Sequence, residues 1–290
     1  APAGVIAVDV WQPLRVLHRW GPHLREVPHV CYLPPGPNFI GPSRVHAAAA
    51  RLFRAIVTPF PHQARLFREA GANVRLAAHA GLLACRNEAR PLPADGRENL
   101  LALLPGSRSL EVRYSLPVQL AAAEQLRQHY PELEPVVCCA DEAVERLVGA
   151  RYPGVRTSRN AREVMARARL GILCSGTAVL EAAVLGCPGV VTYHGSALQR
   201  WEWNRFHVPA LARLRAAGIA SPYIALPNIL AGEELYPELL DTPAGPVAEA
   251  AARKLQEEPT ALRARLDRVK DLLSWEEPGA VIAEEMARAL

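Results

Sequence analysis

The sequence predicts an α/β protein of two domains, each built on a parallel sheet covered by helices, with the first domain incomplete. Three observations predict it. Short apolar runs rich in β-branched residues recur along the chain, as buried parallel strands do. From residue 99 onward these runs alternate with helix-like segments, the βα rhythm that yields a parallel sheet. A polar, Pro-rich stretch bearing Pro91, Pro93, Asp95 and Gly96 separates the two halves.

Residues 5–8 read as a strand that ends at Asp9, and residues 29–33 as a second. A helix over 44–55, a strand over 55–58 and a helix over 62–70 stopped by Gly71 follow. This first domain, residues 1–90, is too short for a complete doubly wound sheet. After a linker at 91–98, the second domain spans 99–275. Strands are expected over 100–104, 135–139, 170–174 and 189–193, with helices over 114–129, 142–148, 161–168 and 177–185. From residue 247 the composition is helical, interrupted near Pro259 and Pro278. A last helix, 276–290, is expected to be able to pack back on the first domain.

A chain of 290 residues, half of them hydrophobic, can bury a substantial core, which excludes intrinsic disorder. Arg169 and Glu181 break up the apolar stretch around 170–193, so no bilayer-spanning segment is expected. The opening Ala1-Pro2-Ala3-Gly4 has neither a basic nor an apolar signal region. The protein therefore reads as cytoplasmic, with a start that is processed or truncated. Six cysteines without C-x-x-C spacing read as reduced core residues. The nine histidines show no His-x-x-x-His pair, so no metal is expected. Net charge is +4, and Lys254 and Lys270 are the only lysines. Genome composition and an anionic substrate or membrane surface both stay open as reasons for the arginine bias, and nucleic acid is not an expected partner.

Three segments can carry chemistry. Residues 103–108 run from a strand into Pro105-Gly106-Ser107-Arg108; Gly106 would allow close backbone approach and Arg108 a bidentate grip on phosphate, although an ordinary turn with a surface arginine fits too. Residues 174–181 pass from an apolar strand through Ser175-Gly176-Thr177 into a helix, whose free N–H groups and dipole suit a nucleotide diphosphate. Glu181, on the same face as Thr177, could accept hydrogen bonds from ribose hydroxyls; a capped helix with a solvated Glu is the plainer alternative, but its apolar neighbours call for a partner. In residues 224–232, Asn228 follows Pro227 inside an apolar run, where it could read a sugar or base edge or simply make a turn. Trp201, Trp203 and Phe206, beside Arg200 and Arg205, are read as packing residues ahead of a lipid-contacting face.

Leu-Pro-Gly-Ser-Arg-x-x-Glu at 104–111, Ser-Gly-Thr-Ala-x-Leu-Glu at 175–181, and Leu-Pro-Asn-Ile-Leu-Ala-Gly at 226–232 ahead of Pro-Glu-Leu-Leu at 237–240 together resemble the lipid-A-disaccharide synthase family. The resemblance implies a GT-B fold, two Rossmann-like domains with parallel sheets facing across a cleft. It also implies an inverting glycosyltransferase that moves an acylated glucosamine from a UDP-sugar donor to a lipid monosaccharide 1-phosphate acceptor. By position, Gly106, Ser107, Arg108, Ser175, Gly176, Thr177, Glu181 and Asn228 match the donor-binding and activity-linked residues, and Asp9 the proposed general base. Asp9 as a helix N-cap remains the alternative. Helix dipole and Arg108 would stabilise departing UDP, so no cofactor or metal is expected. Implied partners are the UDP-sugar, an acylated sugar phosphate and the inner membrane surface, met peripherally; a homodimer is left open.

Departures from the family pattern fall mostly in the first half. The family normally begins with additional βα units bearing a Gly-Glu-x-Ser-Gly-Asp loop, and two or more such units are read as missing from this sequence. Trp11-Gln12-Pro13-Leu14 stands where Pro-Asp-Phe-Asn is usual, Asn38-Phe39-Ile40-Gly41 replaces a Trp-Ala-Trp motif, and Asp241 replaces a glutamine. A same-family enzyme with another acceptor, a non-catalytic UDP-sugar-binding protein and a UDP-sugar 2-epimerase are the rival readings.

Overall fold

A computed structural model describes residues 4–8, 27, 29–34, 44–202, 204–205, 208–216, 218 and 221–288. The chain divides into two compact units: residues 1–84, 214–222 and 271–290 form one, residues 85–213 and 223–270 the other.

The first unit holds a four-stranded parallel sheet in the order β1 (Val5–Val8), β2 (His29–Tyr32), β3 (Ala55–Thr58), β4 (Val74–Leu76). Helix α1 (Arg44–Leu52) leads into β3, and α2 (Pro61–Glu69) packs on β3 and β4. Helix α1 ends three residues short of its expected end, because Ala55 already pairs with Val30 in the sheet. Ala49, Phe53, Ile56, Ala64 and Phe67 form the core on one face. Helix α3 (Ala80–Glu88) follows β4, and its residues from Cys85 on, Glu88 among them, belong to the second unit.

The second unit carries a six-stranded, wholly parallel sheet. Its strands in chain order are β5 (Glu98–Leu104), β6 (Glu134–Cys138), β7 (Thr157–Ser158), β8 (Ala168–Cys174), β9 (Gly189–Tyr193) and β10 (Glu238–Leu240), and their spatial order is β10-β9-β8-β5-β6-β7. Strand order reverses between β5 and β8, which places a topological switch point beyond their carboxyl ends, where ligands bind in open α/β sheets. Helices α4 (Ser109–Arg127), α5 (Glu142–Arg151), α6 (Ala161–Arg167) and α7 (Thr177–Val184) connect successive strands. Then come α8 (Ala197–Glu202), α9 (Val208–Ala216), α10 (Leu226–Ala231), α11 (Ala244–Gln256), α12 (Pro259–Asp271) and α13 (Pro278–Ala287). Leu101, Leu103, Leu170, Ile172 and Val190 are fully buried, as strands covered on both faces require, and α4 and α11 pack together beside them.

Helix α13 belongs to the first unit, where Val281 and Ile282 join Val30, Tyr32, Ala55 and Val57. It also buries Glu285, which accepts from Arg75 Nη1 at 2.8 Å, Arg288 Nη1 at 2.8 Å and Asn73 Nδ2 at 3.0 Å. All six cysteines are buried and unbridged. Among the described residues no helix is long and apolar enough to cross a membrane.

Candidate functional site

The site lies beyond the carboxyl ends of β5 and β8. After β5 the backbone turns at Gly106, whose φ of +114° is open to glycine and hostile to side chains. Space forbids a side chain as well: a Cβ there would lie 2.5 Å from Glu111 Oε2 and 2.6 Å from Glu111 Cβ. Glu111, in the first turn of α4, accepts the N–H groups of Ser107 at 2.9 Å and Arg108 at 3.1 Å, and the Arg108 guanidinium at 2.8 Å. This carboxylate holds the loop and starts α4 five residues earlier than expected.

After β8, Ser175 donates its N–H to Thr192 O at 2.9 Å, tying the turn to β9. Gly176 follows at φ +155° and ψ −164°, a conformation that belongs almost entirely to glycine, and α7 opens at Thr177. No side chain caps α7, so its first N–H groups and the positive end of its dipole face outward. One turn on, Glu181 meets Arg162 of α6, with Arg162 Nη2 donating to Oε1 at 3.0 Å while Nη1 reaches Glu88 at 2.7 Å. Burial works against the charge on Arg162, but Glu181 and Glu88 outweigh it and raise the guanidinium above its ordinary value.

Gly106, Ser107, Arg108, Ser175, Gly176, Thr177 and Glu181 line one cavity of about 350 Å³. Cys174 lines it too, with a thiol that burial pushes up to about 11. A larger cavity of about 560 Å³ shares Ser175 and extends past Tyr193, Arg200, Ile224, Leu240 and Asp241.

Asn228 lines neither cavity. It is fully buried in α10, donating to Tyr236 O at 2.8 Å and Glu238 Oε1 at 3.0 Å and accepting from the N–H groups of Leu235 at 2.9 Å and Tyr236 at 3.0 Å. Its amide therefore organises the approach to β10, together with Glu238, which accepts from Ile224 N and Ala225 N. Asp9 lies outside the described residues, as do residues 11–14 and 38–41. In the sequence alone Glu111 stands out only as the end of the 104–111 motif, with no role assigned, and Arg162 does not stand out at all. A signal existed for each: Glu111 closes the Ser107–Arg108 turn at capping-box spacing, and Asn160 with Glu163 marks the start of the helix that presents Arg162.

The sequence pattern of the lipid-A-disaccharide synthetases matches residues 60–289. The chain belongs to the lipid-A-disaccharide synthetase family. Among curated members, it is 35% identical to the lipid-A-disaccharide synthase of Pseudomonas putida GB-1 over 195 residues, 64% of this chain and 49% of that one. The Pseudomonas aeruginosa LESB58 synthase is 37% identical over 206 residues, 66% of this chain and 51% of its own length. The chain thus spans about half the length of the synthases it matches. This member of the family also has the fold of the UDP-bound MnaA of S. aureus (TM-score 0.55, 12% identity, 94% of this chain and 72% of that one). A similar likeness holds for a putative UDP-N-acetylglucosamine 2-epimerase of Listeria monocytogenes (TM-score 0.53, 10% identity, 92% and 69%) and for the pneumococcal O-GlcNAc transferase GtfA (TM-score 0.50, 11% identity, 98% and 55%). The α/β architecture of GT-B glycosyltransferases and epimerases expected of the family is therefore the one observed.

Proposed function

We propose that this chain binds a UDP-sugar at the start of α7 and serves lipid A disaccharide formation, moving an acylated glucosamine from that donor to a lipid monosaccharide 1-phosphate with inversion. The observation that carries the reading is the convergence of two loops from either side of the strand-order reversal: Gly106 to Arg108 after β5 and Ser175 to Thr177 after β8 line the same cavity. Uncapped N–H groups of α7 receive the diphosphate, and the Arg108 guanidinium, 81% exposed on its short tether to Glu111, swings to it. Both offset the negative charge that grows on UDP as the bond to the anomeric carbon breaks. Glu181, fixed by Arg162, accepts from ribose hydroxyls. Asp9 takes the proton of the acceptor hydroxyl as its oxygen attacks the anomeric carbon from the opposite face. A lipid-linked acceptor places this work at the cytoplasmic surface of the inner membrane.

Calorimetric titration with UDP tests the reading. Saturable binding that weakens about tenfold or more in Arg108→Ala is expected, since a charge-assisted phosphate contact contributes about 1.5–3 kcal/mol. Folded protein with no uridine-nucleotide affinity would refute it.

A further inference from the structure

Resting on the UDP-sugar reading of the α7 cavity, we propose that Asp241, steadied by Arg200, is the specificity-determining residue for the sugar carried on the nucleotide, its carboxylate accepting hydrogen bonds from sugar hydroxyls.

Strands β9 and β10 run parallel and end side by side, Leu240 in register with Tyr193. Asp241 is the next residue and adopts φ +54°, one of two non-glycine residues with positive φ among those described. The neighbouring sheet imposes that conformation. Asp241 N–H donates to Tyr193 O at 2.8 Å, and the next carbonyl, Thr242 O, accepts from His194 Nε2 at 2.8 Å. Glycine holds this backbone without strain and aspartate tolerates it, so the turn itself does not need the carboxylate, which is left to face the cavity. That side chain spends little on structure: its ion pair, Arg200 Nη1 to Oδ1, is 3.5 Å long and half exposed.

Asp241 and Arg200 both line the cavity of about 560 Å³. Because that cavity shares Ser175 with the α7 cavity, a group attached to a diphosphate at Ser175 has this space to enter. Tyr193, Val208, Ile224 and Leu240 make part of the remaining wall apolar, while Gln199 and Asn204 add uncharged polar groups, so that among the described residues Asp241 is the one carboxylate of the lining. In a pocket so lined, the few polar groups decide which hydroxyl pattern is accepted, because a carboxylate left without its donors loses affinity steeply.

The test compares UDP with UDP-N-acetylglucosamine by calorimetry on the wild-type protein, Asp241→Gly and Asp241→Asn, with thermal unfolding alongside. Asp241→Gly should leave the UDP Kd within about twofold, raise Tm by releasing the strain, and weaken the sugar nucleotide by about tenfold or more. Asp241→Asn, which tolerates the same backbone, should retain part of the discrimination and serves if the glycine variant fails to fold. An affinity ratio unchanged by both substitutions, as a purely structural Arg200–Asp241 tether of α8 would give, overturns the inference while leaving UDP binding intact. So does a wild-type protein that binds the sugar nucleotide no more tightly than UDP. Absence of UDP binding by the wild type refutes the underlying reading and this one together.

Discussion

Glu181 of α7 and Arg162 of α6 lie 3.0 Å apart, one turn beyond the uncapped start of α7. Arg162 also engages Glu88, so one guanidinium ties α3, α6 and α7 together. Arg162→Met leaves Glu181, only 16% exposed at its side chain, without its charge partner. Stability should fall by about 1–3 kcal/mol, read as a shift of the urea midpoint. UDP affinity should fall with it, and Arg162→Lys should recover part of both.

The two loop glycines should differ in their tolerance of alanine. At Gly106 a methyl group collides with Glu111 and φ is +114°, whereas at Gly176 the space is open and only the backbone conformation resists. Gly176→Ala should cost about 1–3 kcal/mol. Gly106→Ala should cost more, because Glu111 must leave the N–H groups of Ser107 and Arg108. Paired thermal denaturation curves of the two variants measure the order.

Asn228 should behave as a keystone of stability. Its four hydrogen bonds in a fully buried setting make Asn228→Ala cost about 3 kcal/mol or more, since several main-chain partners lose their complement at once. Asn228→Asp should be no milder, because a second carboxylate would then face Glu238 Oε1, now 3.0 Å from the amide nitrogen. Equilibrium unfolding in urea separates this from a pure binding defect, which would leave the midpoint unchanged.

The apolar runs of the second unit were legible because both faces of its sheet are covered: Leu101, Leu103, Leu170 and Ile172 are all fully buried, and a continuous hydrophobic stretch is the only sequence such a strand can carry. Strands β4, β7 and β10 were not, since two or three residues show no periodicity and owe their conformation to the neighbour they pair with. At the site, the loops announced themselves through glycines that only special backbone geometry requires. Arg162 stayed hidden because its importance depends on which helix faces which, and that is settled by packing, whereas Glu111 acts locally on Ser107 and Arg108 and needed only its capping-box spacing to be read. Asn228 was singled out for its polarity in an apolar run, and the same burial that made it conspicuous spends its amide on the protein itself.

Acid should destabilise the first unit through His62. Burial, aided by Arg65, lowers its pKa from 6.5 to about 4, and neither ring nitrogen has a partner among the described residues. The unfolded chain therefore takes up a proton that the folded one refuses: the stability is complete above pH 6.5 and is lost as pH falls from there through 4. The loss attributable to this group is on the order of 3 kcal/mol. Replacing the ring with an uncharged one in His62→Phe should flatten the urea midpoint between pH 7 and pH 4.5 relative to the wild type.

Helix α13 completes the core of a sheet whose strands were laid down more than two hundred residues earlier, with Val281 and Ile282 set against Val30 and Val57. During synthesis residues 278–287 must therefore leave the ribosome before β2 and β3 gain their full apolar cover, whereas residues 85–213 and 223–270 can close up sooner. A sheet made earlier is thus finished later than the unit that follows it, and removing α13 would strip β2 and β3 of part of their cover.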